Sequence, residues 1–333
     1  MNETTGYTDF RLHANRLAET RERGQAEAAV RRDLAAAYQL CALFGWDDLV
    51  YTHLSARVPG REHHFLVNPL GLGFDEITAS SLIKIDLDGN VIGDSGGYEP
   101  NAAGFVIHGA IHATRENAGC VMHLHTEAQM ALSTLPEGLL PLTQHAMRLY
   151  GRISYHDYEG IAPSSGERVR LIADLGDSAA MILRNHGSLT VGASVAQAFV
   201  EMFYLEKAAR SQLLAQATGQ PLIIPPRDSI ELPARQWESQ LDSGIEWPAL
   251  LRRLERAAGP AFGQCVDHEV GNGRSHGQNA VPSPGRRALL RDGQVSAHHR
   301  LRPRGGRARL RRGLAAGAHP YPPDHRVALP WRR

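Results

Sequence analysis

Lysine is nearly missing from this chain. Only Lys84 and Lys207 occur in 333 residues, so arginine carries almost all of the positive charge. Cysteine is scarce too, at three widely spaced residues, Cys41, Cys120 and Cys265. An odd, scattered set excludes a disulfide framework and suggests free thiols in a reducing compartment. No run of 18 apolar residues is present, so no membrane-spanning helix is expected. Residues 1–26 lack the apolar core of a signal peptide. Together these absences predict a soluble, cytoplasmic protein.

The composition is 42% hydrophobic and 21% charged, as expected for one large globular domain or two small ones. The net charge of +1 hides a division of charge. Residues 259–333 carry 14 arginines against Asp267, Glu269, Asp292 and Asp324, a net of +10, while the remainder is at −9. This last stretch is rich in Gly, Pro, Arg and His. It has too few apolar side chains to offset the entropy of ordering a chain, so it reads as a basic, disordered tail. A basic arm could bind nucleic acid or an anionic membrane. Here the arginines are scattered among Pro and Gly, which favours a solvated tail and no nucleic-acid partner. Residues 1–26 are read as a flexible N-terminal segment and 27–258 as the folded domain.

Within that domain, Val30, Leu34, Ala37, Leu40, Cys41 and Phe44 recur at three- and four-residue spacing and predict a helix over 27–44. Strands are expected from Asp48 to Ala56, from Phe65 to Val67 and from Leu82 to Leu87, each closed by Gly, Pro, Asn or Asp. A helix over 103–115 precedes an apolar strand at 120–126, and a short helix over 127–134 follows it. Strands at 181–184 and 188–191 lead into a long helix over 194–217. Interleaved strands and helices indicate an α/β layered domain.

Two local settings bring histidines forward. His123 and His125 lie two apart in Val-Met-His-Leu-His-Thr, a spacing that puts both on one face of a strand. His186 lies in Leu-Arg-Asn-His-Gly, directly after another apolar run. Three imidazoles can hold one metal ion and leave a coordination position open for water or substrate. His108 and His112, four apart on a helix, read as packing against the sheet. His145 and His156 read as structural or surface histidines.

An ordered series of motifs goes further. It runs Gly-Phe-Val-Ile-His at 104–108, Cys-Val-Met-His-Leu-His-Thr at 120–126 and Gly-Leu-Leu-Pro-Leu at 138–142. It continues with His-Asp-Tyr-Glu-Gly at 156–160, Leu-Arg-Asn-His-Gly at 183–187 and Val-Gly-Ala-Ser-Val-Ala-Gln-Ala-Phe at 191–199. Over residues 27–257 the chain thereby resembles the class II aldolase/adducin family, nearest its adducin-like bacterial branch.

The resemblance implies a three-layer α/β/α fold with a central, mainly antiparallel sheet, assembled as a homotetramer with active sites at subunit interfaces. It implies a metal site at His123, His125 and His186, holding zinc (Zn2+) with Fe2+ or Mn2+ as alternatives. It implies a proton donor at Tyr158, contributed in the family by a neighbouring subunit, and a small-molecule substrate bound near Ser55, Asn68, Gly71 and Asn101. The chain departs from the family at Gly104, where the aldolases carry a catalytic glutamate, and at its phosphate-binding segments. The expected activity is a metal-dependent lyase, by aldol cleavage or decarboxylation, on a small oxo-acid or sugar-like substrate. A non-haem iron oxygenase and a non-catalytic adducin-like scaffold are the alternatives.

The shift in composition near residue 258 makes a direct prediction. Limited proteolysis of the full chain should leave a stable fragment of about 28 kDa, since proteases cut unstructured segments first. A tail as resistant as the body would overturn the assignment.

Overall fold

The computed structural model describes residues 5–60, 62–160, 165–238 and 243–259. The Arg-rich segment 260–333 lies outside the described residues. Helix α1 spans Thr5–Phe44. Periodicity finds only helices that bury a face, and here burial is concentrated from Leu34 to Cys41.

Seven strands follow in one sheet: β1 (His53–Arg57), β2 (Phe65–Val67), β3 (Ile83–Ile85), β4 (Cys120–Leu124), β5 (Ile153–His156), β6 (Ala180–Leu183) and β7 (Gly187–Gly192). Their order is β3-β2-β1-β4-β7-β6-β5. Every pair is antiparallel except β5–β6, so the mainly antiparallel sheet expected from the resemblance is present. Strand β1 starts later than its hydrophobic pattern suggests. Leu49 and Thr52 have φ of +53° and +62°, and a backbone in the left-handed region cannot extend a ladder.

The remaining helices are α2 (Ala102–Thr114), α3 (Glu127–Ser133), α4 (Gln144–Met147), α5 (Ser165–Leu175), α6 (Val195–Ala217), α7 (Arg227–Glu238) and α8 (Glu246–Ala258). Strand alternation sorts them into two layers. Val121, Met181, Leu183, Leu189 and Val191 point to one face, where Ile111 of α2 and Leu171 and Leu175 of α5 cover them. On the opposite face, Ser188 reaches Gln129 of α3 and Thr190 hydrogen-bonds the Ala198 carbonyl of α6 at 2.9 Å. Helix α1 packs against β1 and α6. The sheet therefore lies between two helical layers. Among the described residues, no helix is long and apolar enough to cross a membrane.

The interface between α2 and β1 is polar. Ser55 Oγ lies 2.7 Å from His108 Nδ1 and 2.8 Å from His112 Nε2, and His112 Nδ1 lies 2.9 Å from the Ala118 carbonyl. A carbonyl only accepts, so His112 carries its proton on Nδ1. Its Nε2 then accepts from the Ser55 hydroxyl, which in turn accepts from His108 Nδ1–H. In this arrangement His112 must be neutral, because its Nε2 accepts. Burial pushes the His112 pKa down to about 3, and burial, then His53, His112 and His123, hold His108 well below the usual histidine range.

These two histidines give stability a pH dependence. Unfolded, each titrates near 6.5; folded, each stays neutral to far lower pH. Between those values the unfolded chain binds more protons, so stability falls as the pH drops below about 6.5 and is flat above it. Each histidine should contribute a slope of about 1.4 kcal/mol per pH unit within its window. Urea denaturation from pH 8 to pH 5 should show the loss, and His112→Gln should reduce the slope. An unchanged slope in that variant would refute the account.

Candidate metal centre

Strand β4 occupies the middle of the sheet, between β1 and β7, and carries His123, which pairs in register with His53 and Leu189. His123 is 8% exposed, and its Nδ1 lies 2.9 Å from the Ser188 carbonyl. That contact places the proton on Nδ1 and leaves the Nε2 lone pair available. His125 follows the last paired residue of β4, one step beyond the strand. Its Nδ1 lies 2.9 Å from Asp48 Oδ2, which again leaves Nε2 as the ligating atom. A carboxylate or carbonyl behind each ring is the arrangement that orients metal-binding histidines.

His186 comes from the three-residue connection between β6 and β7, whose ladder closes at Leu183 and Gly187. Asn185 takes φ +56° there, a left-handed conformation that Asn adopts more readily than most residues. At Gly187 a Cβ atom would stand 2.5 Å from the Leu124 carbonyl oxygen and 2.9 Å from His125 Cδ2. Only glycine lets β7 come this close to the end of β4. The Asn-His-Gly motif is thus a turn residue, a candidate ligand and a close-approach glycine in sequence.

The three rings converge. His123 Nε2 and His125 Nε2 are 3.0 Å apart, and the His186 ring centroid lies 4.9 Å and 4.8 Å from theirs. One nitrogen from each residue falls within 4.8 Å of the others. Tetrahedral zinc with Zn–N of about 2.0–2.1 Å implies N···N separations near 3.3 Å, so the donor set fits a divalent ion. Burial, then the neighbouring His125, His186 and His53, holds His123 well below the usual histidine range. Burial and then His125 push His186 down to about 4. Neutral rings with unshared electron pairs are what a metal requires.

The other sequence-predicted residues are less gathered. Tyr158 is half exposed, with its ring centroid 6.3 Å from that of His186 of the same chain. It needs no second subunit to stand beside the site. A cleft lined by Tyr158, His156, Glu159, Glu167, Arg184 and His186 opens there. Ser55 is fully buried between His108 and His112, so it is a core residue and not a surface for substrate. Asn68 is fully buried too, its Oδ1 3.0 Å from the Tyr38 hydroxyl. Gly71 is exposed with φ +93°. Its loop meets the segment leading to Asn101, through Leu70 N–H to Glu99 carbonyl at 2.9 Å and the Pro69–Pro100 bridge. Residues 69–71 and 99–101 therefore form one rim, while Ser55 and Asn68 sit beneath the surface.

Two participants escaped the sequence reading. Asp48 orients His125 from 77 residues away, and no spacing rule connects them. His156, read as structural or surface, is only 4% exposed yet lines the cleft; its place in the His-Asp-Tyr-Glu-Gly motif was the available signal.

Comparison with known proteins identifies the fold. The family described as Class II Aldolase and Adducin N-terminal domain matches residues 32–213. An aldolase II superfamily protein from Pseudomonas syringae is 49% identical, with a TM-score of 0.68 over 70% of this chain and 94% of its own. An L-fuculose 1-phosphate aldolase from Glaciozyma antarctica is 32% identical, with a TM-score of 0.64 over 71% of this chain and 92% of its own. Alpha-adducin of Rattus norvegicus is 43% identical over 200 residues, 59% of this chain but 27% of its own length. With its sheet, its helical layers and most of its described length accounted for by these likenesses, the chain belongs to the class II aldolase and adducin family.

Proposed function

We propose that this protein is a metal-dependent lyase that breaks a carbon–carbon bond in a small oxo-acid or sugar-like substrate. The observation that carries the reading is the convergence of three imidazoles, His123, His125 and His186, beside a cleft that contains Tyr158. A divalent ion, Zn2+ first and Fe2+ or Mn2+ as alternatives, would act there as a Lewis acid on a carbonyl oxygen. The remaining roles belong to the chain. Asp48 and the Ser188 carbonyl orient two of the rings. Tyr158, half exposed with its ring beside that of His186, supplies a proton donor. The rim formed by residues 69–71 and 99–101 borders the substrate. The same reading takes the protein as a cytoplasmic homo-oligomer, a tetramer by the family pattern.

Gly104 sets a limit on the activity. It lies in the first turn of α2, one helical turn before His108, where the aldolases' glutamate falls by motif alignment. Decarboxylation needs an electron sink more than a base, so it tolerates this loss better than aldol cleavage does. A binding scaffold is the second reading, favoured by the 43% identity with alpha-adducin. The oriented rings favour the enzyme, because a scaffold has no use for them.

Replacing His123→Ala together with His125→Ala should abolish binding of one metal per subunit and leave circular dichroism unchanged. Equal metal content by elemental analysis would sink the ligand assignment, and no metal in the native protein would favour the scaffold.

Fuculose-type sugar phosphates should be poor substrates, and Gly104→Glu should raise their cleavage, since a general base contributes about 10²–10⁴-fold. Native turnover of them at about 1–10³ per second would show that another base already serves that reaction.

A further inference from the structure

We propose that His156, held by Asp174, is the proton acceptor of this site, in place of the carboxylate missing at Gly104. The proposal rests on the lyase reading above. His156 closes β5, and β5 pairs in parallel with β6 so that His156 stands opposite Leu183. Parallel pairing brings the C-terminal ends of both strands to the same edge of the sheet. The chain leaving β6 there carries His186 three residues later, and the Arg184 N–H binds the His156 carbonyl at 2.8 Å. His156 and the ligand His186 thus border one cleft, with Tyr158 between them in its lining.

The ring is oriented. Its Nδ1 lies 2.8 Å from Asp174 Oδ2, so Nδ1 holds the proton and the lone pair is on Nε2. Residue 156 is 4% exposed, and Nε2 has no hydrogen-bond partner among the described residues. The nearest carboxylate oxygens, of Glu159 and Glu167, are 3.9 and 4.0 Å away. They surround the lone pair without engaging it. Glu159 is drawn aside by Arg170, 2.7 Å from its Oε1. A buried imidazole nitrogen without a partner is uncommon and calls for an explanation; here it belongs to a residue that lines the cleft, with a third group fixing its tautomer.

In the step assigned to it, Nε2 takes a proton from the carbon next to the substrate carbonyl. The C–H bond breaks, its electron pair moves into the new C=C bond, and the carbonyl π pair moves onto oxygen. Reversal returns a solvent proton to carbon.

The test follows exchange of C–H for C–D in D2O by proton NMR, using full-length, zinc-loaded protein with dihydroxyacetone and hydroxypyruvate as probes. Native protein should exchange one or both, His156→Gln should lose about 10²–10⁴-fold with zinc content unchanged, and Asp174→Asn should lose less. Independently of activity, ¹⁵N NMR of the imidazoles in metal-free protein should show His156 as the Nδ1–H tautomer, shifting toward Nε2–H in Asp174→Asn. Native exchange that survives His156→Gln, or an Nε2–H tautomer in the native protein, overturns the role of His156 alone. Metal-loaded native protein that exchanges neither probe overturns the lyase reading and this role with it.

Discussion

The site depends on how closely β7 approaches the end of β4. Two of the three imidazoles sit at the end of β4 and the third in the turn that feeds β7, so that one strand-to-strand contact sets their separation. A side chain at Gly187 would collide with the Leu124 carbonyl and the His125 ring. The Leu124–Ser188 pairing places the Ser188 carbonyl behind His123, where it fixes the tautomer. Backbone geometry, not side-chain flexibility, therefore determines whether the lone pairs converge, and a rigid scaffold of this kind preorganises a site at little entropic cost.

A second constraint comes from the layer beneath α2. A sheet face packed by a helix ordinarily fills with aliphatic groups. Toward β6 and β7 it does so, through Ile111, Val121, Leu171 and Leu189. Toward β1 it gives way to His53, Ser55, His108 and His112, with the His53 ring 4.1 Å from that of His108 and 5.8 Å from that of His123. Such a network is stable only if every proton is in place, and its hydrogen bonds lie in a medium where unmet partners cost about 1–3 kcal/mol each. The unbonded Nε2 of His108 shows that the accounting does not close fully.

Much of this was legible in the sequence, for reasons that can be named. The long helix after Ser194 announced itself because Ser194 caps it and Ala198, Phe199, Met202, Leu205 and Ala209 fall on its buried face. The convergence of His186 with the β4 histidines was legible because a turn residue, a histidine and a close-approach glycine coincide at Asn185, His186 and Gly187. Strand β5 was not, since Ile-Ser-Tyr-His mixes buried and half-buried positions over only four residues and leaves no clear alternation. Ser55 was misplaced because a hydroxyl in a family motif suggests a ligand, whereas two histidines 53 and 57 residues away claim it. Asp48 and Asp174 act through tertiary contacts that no local pattern encodes.

The polar underside of α2 has a consequence for motion. A helix anchored by aliphatic contacts opens only near the global unfolding free energy, while one resting partly on imidazoles and a serine gains less from burial per turn. On that side helix α2 therefore gains less from burial than it would on an aliphatic floor, and its amides should exchange before those of β4 or α6. Its first turn contains Gly104 and adjoins the rim at Asn101. The segment proposed to border the substrate is thus one that can loosen and reclose without disturbing the three converging imidazoles.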